Sequence, residues 1–281
     1  MLELPEIEQV RRKMDQQWVG QRIRGVRVLR ESWLTVSKQE LEEGIIGRML
    51  LYVERRGKAL IFHLDDGRRL LLQIGFGGEV ISLLGASAVD AADAGAENGE
   101  QELQDRIDKA QLVLTFDNGS WAVWGARTIS LQWLAAKELD DQLKKWGPDP
   151  LGRSLSAEQF MRRFEKRRSA LKTALTNPAL LSGITPAVAD EICYRAGILP
   201  NTKTEEMTEQ DWHIVYESML SWLNEAIEHP EMNLYAVSGH IGDACGRCGE
   251  IISELPIAGK PAAHCSQCQD EHARRLEPVV H

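Results

Sequence analysis

The sequence predicts an α+β multidomain protein, and three observations lead there. The first half reads as short strands opened by one helix. The second half turns helical after a Pro/Gly break, "WGPDPLG", at 146–152. Four cysteines near the end follow a C-x2-C-x16-C-x2-C pattern. At 281 residues the chain is long enough for two compact units and a small appendage. The expected limits are a β domain over 1–135, a helical domain over 150–235 and a cysteine hairpin over 240–272.

Residues 4–19 predict the opening helix. Pro5 suits its first turn, Ile7, Val10, Met14 and Trp18 recur at helical spacing, and Gly20 sits where a helix-ending glycine belongs. The runs "RIRGVRVL", "MLLYVERRGKALIFHL" and "RRLLLQIGFGGEVISLL" then read as strands, with "DDG" at 65–67 as a hairpin turn. The second of these runs places Lys58 inside an apolar strand, where its charge must reach water or a partner. A stretch rich in small and acidic residues follows and reads as a surface loop. Asp90–Asp108 carries seven acids against one base, Arg106. "KAQLVLTFDNGSWAVWGARTISLQWL" returns to strands around a "DNG" turn.

Beyond 152 the helical signals dominate. Ser156 and Gln159 stand at the two positions of a capping box. "ITPAVADEICYRAGILP" reads as turn, helix and stop. A long amphipathic helix follows, capped by Thr208, ended by Pro230, and carrying Trp212, Val215, Met219, Trp222 and Ile227 on or near one face. The run Arg162–Lys172 holds six bases and one acid, so it reads equally as a solvated face or as a patch for a polyanion. The eight tryptophans are spread at core spacing.

Composition narrows the function classes. The net charge of −9 argues against a strong polyanion binder overall, although local fields matter more than the sum. No run of 18 apolar residues predicts a membrane span, and no secretory signal is read, so the expected location is the cytoplasm. The strongest chemical signal is Cys245, Cys248, Cys265 and Cys268. Each C-x2-C knuckle turns two thiolates toward one ion, and the interval fits a returning hairpin. Four thiolates select one structural zinc. The competing reading, two disulfides, suits a cytoplasmic chain poorly. Cys193, in a helix, reads as a small core residue.

The order of motifs then becomes informative. "ELPEIE" one residue after Met1, "RRGKALIF", "DEICYRAGILP" and the four-cysteine hairpin together resemble the formamidopyrimidine-DNA glycosylase and endonuclease VIII family along nearly the whole chain. The resemblance implies an N-terminal β-sandwich with flanking helices, a helix–two-turns–helix domain and a zinc hairpin. It implies damaged or abasic double-stranded DNA as partner, bound by a monomer, with the damaged base flipped out. In the family an N-terminal proline amine attacks the sugar through a Schiff base, and the adjacent glutamate handles protons.

Carried over position by position, Glu3 matches the catalytic glutamate, Glu6 the second glutamate of the opening motif and Lys58 the phosphate-contacting lysine. Phe76 falls where the family often has a methionine that fills the void left by the flipped nucleotide. Arg127 corresponds to another void-filling residue. Lys172 and Lys260 are the remaining expected DNA contacts. Three departures stand out. Leu2 replaces the nucleophilic proline, Pro186 occupies the place of a phosphate-directed asparagine, and Lys260 replaces an arginine, keeping charge but losing bidentate geometry.

Leucine is too large for the usual removal of an initiator methionine, so the free amine is expected on Met1. That displaces it by up to about 3.3–3.6 Å along the chain, when a misplacement of about 1 Å can cost on the order of a hundredfold in rate. Three readings follow. The protein is a glycosylase that uses Glu3 to activate water or Met1 from a shifted register. It is a non-catalytic protein that binds DNA lesions or structures. Or it is a protein-interaction scaffold stapled by zinc.

Overall fold

The computed structural model describes residues 2–84 and 105–269. The chain divides into two compact units, one comprising Met1–Leu2 and Glu6–Leu143 and the other Glu3–Pro5 and Lys144–His281. Of the acidic stretch Asp90–Asp108, residues 90–104 lie outside the described residues, as does Met1.

The first unit opens with helix α1 (Leu4–Gln17). It ends two residues before the predicted Val19, and Gly20 then takes a left-handed φ of 83° while its N–H donates to Leu50 O. Among the described residues eight strands follow: β1 (Ile23–Val28), β2 (Leu50–Arg56), β3 (Ala59–Leu64), β4 (Arg68–Ile74), β5 (Glu79–Leu84), β6 (Leu112–Phe116), β7 (Gly119–Trp124) and β8 (Ile129–Ala135). They form two antiparallel four-stranded sheets in the orders β1-β6-β7-β5 and β2-β3-β4-β8. Side chains of α1 and of both sheets share one core. It includes Ile7, Met14 and Trp18 with Phe62, Leu72, Leu114 and Trp121. The Phe62 and Trp121 rings meet edge to face across it at 5.9 Å.

Among the short helices of this unit that were not anticipated are α2 (Lys38–Ile45), capped by Ser37, and α3 (Ala136–Leu143). Each is only eight residues long, so apolar periodicity has little length in which to show. The expected "DDG" and "DNG" turns join β3 to β4 and β6 to β7.

In the second unit, α4 (Ala157–Phe164) carries the Ser156/Gln159 capping box. α5 (Leu171–Leu175) and α6 (Pro186–Ala196) are joined through two turns, and Gly197 closes α6 at φ 67°. The long α7 (Glu209–Glu228) carries a second capping box, Thr208 with Asp211. Phe160, Phe164, Ile192, Trp212, Met219 and Trp222 centre its core, and Leu4 is wholly buried in the same cluster. The chain then forms a hairpin of β9 (Ser253–Ile257) and β10 (Lys260–His264). Ala258 and Gly259, at φ 49° and 75°, make its two-residue turn. Among the described residues no helix is long and apolar enough to cross a membrane.

The capping box of α7 sets an expected cost. Thr208→Ala removes the hydroxyl that accepts from the Asp211 N–H and should destabilise the protein by about 1 kcal/mol, measured as a shift in urea midpoint at unchanged slope.

Candidate nucleic-acid interface and metal centre

Lys58 does not lie in a strand as expected. Gly57 and Lys58 form the two-residue turn between β2 and β3, where Arg56 pairs with Ala59. Gly57 adopts φ 57°, which favours glycine, and the apolar residues that suggested one continuous strand belong to two. The turn is anchored from below. Arg55, with only 6% of its side chain exposed, donates from Nε to Glu8 Oε2 at 2.9 Å and from Nη1 to Gly57 O at 2.9 Å. Glu8 lies on α1 and also accepts from Arg11 at 2.8 Å. A second tie runs from the Val53 N–H to Asp15 Oδ1 at 3.0 Å. The β-turn that carries Lys58 is thus fastened to α1 by charge.

Burial raises the Glu8 carboxyl, but the hydrogen bonds and charges of Arg11 and Arg55 outweigh it and hold the group below its ordinary 4.5.

Glu3 immediately precedes α1 and is 4% exposed. Its neighbours on either side are held by packing. Leu2 packs against the core of the β unit and Leu4 is buried in the helical core. Glu6 is half-buried in the first turn of α1.

Phe76 and Arg127 are brought together. Phe76 is 55% exposed, and the Arg127 guanidinium sits 5.0 Å from the centre of its ring. The Arg127 N–H donates to Phe76 O at 3.0 Å. This pairing needs the two loops to touch through glycine. Gly77 and Gly125 both have positive φ, and a Cβ on either would sit 2.9–3.0 Å from the carbonyl oxygen of the other.

In the helical unit, Arg162, Arg163, Lys166, Arg167 and Arg168 are exposed. Only Arg168 has an ion-pair partner among the described residues, Glu205 at 3.2 Å. Lys172 corrects the expectation placed on it. It is 6% exposed and its ammonium is bound to Asp190 and to the Pro261 carbonyl, so it does not face a ligand. A buried lysine keeps its charge only when paired, and α5 turns this one inward. Lys260 is exposed as the first residue of β10, beside the hairpin turn. Pro186 is the first residue of α6, with the Thr185 hydroxyl accepting from Val188 N. Asp190 and Glu191 went unread in the sequence, as did Glu8 and Arg55.

The four predicted cysteines converge. Their sulfurs all lie within 4.8 Å of one another. Cys245 and Cys268 are 3.8 Å apart and Cys248 and Cys265 are 3.4 Å apart. A tetrahedral zinc with Zn–S of about 2.3 Å requires sulfurs about 3.8 Å apart, so the cluster fits zinc. Burial and the neighbouring sulfurs push the Cys268 thiol up. Burial also opposes ionisation of Cys245, yet the Tyr194 hydroxyl and the N–H groups of Cys248 and Arg247 bring it down to about 6. Four thiolates this close require a divalent cation to share.

Two neighbours orient the ligands. The Tyr194 hydroxyl lies 3.1 Å from Cys245 Sγ, and Arg247 covers the Tyr194 ring at 4.4 Å. Gln269 is fully buried, accepts from the Cys265 N–H at 2.8 Å and donates to Ile198 O at 2.9 Å. Cys193, as expected, is buried in the helical core and lies outside the cluster.

Comparison with known proteins sets these features in a family. Residues 1–130 match the formamidopyrimidine-DNA glycosylase N-terminal domain, and residues 146–236 match the formamidopyrimidine-DNA glycosylase H2TH domain. Formamidopyrimidine-DNA glycosylase of Lactococcus lactis subsp. cremoris is 26% identical over 96% of this chain and 100% of its own. That of Herpetosiphon aurantiacus is 27% identical over the same shares. The crystal structure of the Lactococcus lactis glycosylase bound non-covalently to DNA containing an AP site superposes with a TM-score of 0.81. It is 25% identical and covers 96% of this chain and 100% of that one.

Two outcomes follow from this geometry. Purified protein should carry one zinc per chain by elemental analysis. Cys265→Ser should abolish it, and Tyr194→Phe should weaken zinc affinity about 10–100-fold in a chelator competition. The lowered carboxyl of Glu8 means that its ion pairs stabilise the fold fully above pH 4.5, and that this contribution is lost as the pH falls below that value. Glu8→Gln should therefore lower the melting temperature at pH 7 and converge on the parent near pH 3 in a thermal-melt series.

Proposed function

The chain belongs to the formamidopyrimidine-DNA glycosylase family, and from that premise we propose that it is a cytoplasmic, monomeric DNA-repair protein that binds damaged or abasic duplex DNA and releases the damaged base by hydrolysis. The observation that supports this reading is Glu3 itself, the carboxylate of the opening motif, which lies almost wholly buried immediately before α1. With Met1 retained, as the bulk of leucine leads one to expect, the Leu2 nitrogen is a peptide amide and forms no Schiff base. A carboxylate held in place can still act as general base.

In this scheme Glu3 takes a proton from water as the water oxygen attacks the sugar C1′. The C1′–N bond breaks, its electron pair leaves with the base, and the departing base takes a proton from solvent, while Glu3 keeps the proton drawn from the attacking water. Lys58, at the tip of a turn anchored by Arg55 and Glu8, supplies positive charge to a DNA phosphate. Lys260 does the same from the zinc hairpin. Phe76, stiffened by Arg127, offers an exposed aromatic face for the gap left by an extruded nucleotide. Zinc, when bound, holds the hairpin rigid. Glu6 supports the opening turn and has no assigned proton to move.

Leu2 also favours a second reading, in which the protein binds lesions without chemistry. Base release and strand nicking, scored in parallel on lesion-containing and abasic duplexes, separate the two. The hydrolytic reading expects base release that Glu3→Gln abolishes while binding persists, with no covalent adduct on borohydride trapping. Binding without base release selects the second reading. A borohydride adduct with abasic DNA would refute hydrolysis, because it shows an amine attacking. Lys58→Ala should weaken binding to all duplexes alike and reduce the slope of log affinity against log salt by about 0.9.

A further inference from the structure

The Lys172–Asp190 pair has no place in the scheme above, yet it holds the edge of the strand that carries Lys260. Lys172 Nζ lies 2.8 Å from both Asp190 oxygens, with only Oδ2 at a hydrogen-bonding angle. The same ammonium donates to Pro261 O at 2.7 Å, and Asp190 Oδ2 accepts from the Ala263 N–H at 3.1 Å. Pro261 and Ala263 are alternate residues of β10, so their main-chain groups point to one edge of the strand. Among the described residues no strand lies beside that edge, since the strand paired with β10 is β9 on the other side. The ammonium serves the edge carbonyl and the carboxylate serves the edge N–H, as a neighbouring strand would.

We propose that Lys172 and Asp190 are positioning residues that act as a surrogate strand for β10 and thereby place the Lys260 ammonium on the DNA backbone. This rests on Lys260 being a DNA contact. The residue next to Lys260 is the one whose carbonyl the ammonium grips, so the anchor acts one residue from the charge it places. A two-stranded hairpin is marginal alone, and the cysteine cluster sits at its far end from the turn. The ion pair supplies the second point of attachment.

The experiment uses the full zinc-loaded chain in four forms: parent, Lys260→Ala, Lys172→Met/Asp190→Leu, and the combination of all three. Replacing both charges avoids leaving one buried alone, and zinc content with circular dichroism confirms that each form is folded. Each is titrated with an abasic duplex across a salt series, and amide hydrogen exchange is followed over residues 257–263 without DNA. The expected result is that Lys260→Ala lowers the salt slope by about 0.9 in the parent but changes nothing further in the pairless form. Exchange over 257–263 should rise at least tenfold in the pairless form while zinc stays at one per chain.

Two results would overturn the proposal. One is additive loss, with the slope falling by about 1.8 in the combination, which makes Lys172 a phosphate contact in its own right. The other is unchanged exchange, which shows that the pair does not hold the strand. If the parent shows no salt-dependent binding at all, the DNA reading and the Lys260 step fail together, and the exchange result alone still tells whether the pair anchors β10.

Discussion

Asp190 and Glu191 are consecutive carboxylates on α6, both almost fully buried, and the chain folded around them has to satisfy them. Asp190 is answered by Lys172 and by the Ala263 N–H. Glu191 is answered by three successive main-chain N–H groups, those of Ala236, Val237 and Ser238, at 2.7–3.0 Å. One carboxylate therefore holds the zinc hairpin and the next holds the segment leading into it. Burial pushes both carboxyls up. The donors around them oppose that, and removing one would leave a desolvated acid without a partner. The placement of the metal-bearing hairpin in its unit follows from this constraint, not from hydrophobic packing alone, since the small cluster beneath it holds few apolar side chains, among them Val237, Ile252 and Ala263.

The β unit applies the same rule at a different place. Glu8 on α1 gathers Arg11 and Arg55, and Arg55 passes the constraint on to the Gly57 carbonyl. A turn of two residues has little rigidity of its own, and a lysine on it would sweep a wide volume. The charge network beneath the turn holds its backbone at the Gly57 carbonyl. The Phe76–Arg127 pair needs no carboxylate: two glycines let two loops approach to contact, and the Arg127 cation lies over the aromatic ring beside a main-chain hydrogen bond.

The departure at residue 2 sharpens the chemistry instead of erasing it. A proline nucleophile and a leucine make opposite demands, one an exposed amine and the other a dry pocket. Leu2 packs against the β core while staying partly exposed, so this position makes an apolar contact where the family places its amine. Glu3, the next residue, is almost wholly buried immediately before α1.

By itself the sequence determined the features that close within a few residues. The capping boxes Ser156/Gln159 and Thr208/Asp211, the glycine that ends α6, the hairpin turns and the cysteine knuckles are each set by neighbours near in the chain. The order of the opening motif, the "RRGK" turn and the hairpin was enough to indicate the family. Only the tertiary structure decided which charges point outward. Lys172 sits among five exposed bases and looks like one of them, until a carbonyl 89 residues away claims its ammonium. Arg55 and Glu8 are separated by 47 residues, and neither residue type signals a partner at that distance. Burial of a charge is decided by whatever the folded chain brings beside it, and that information is absent from local spacing.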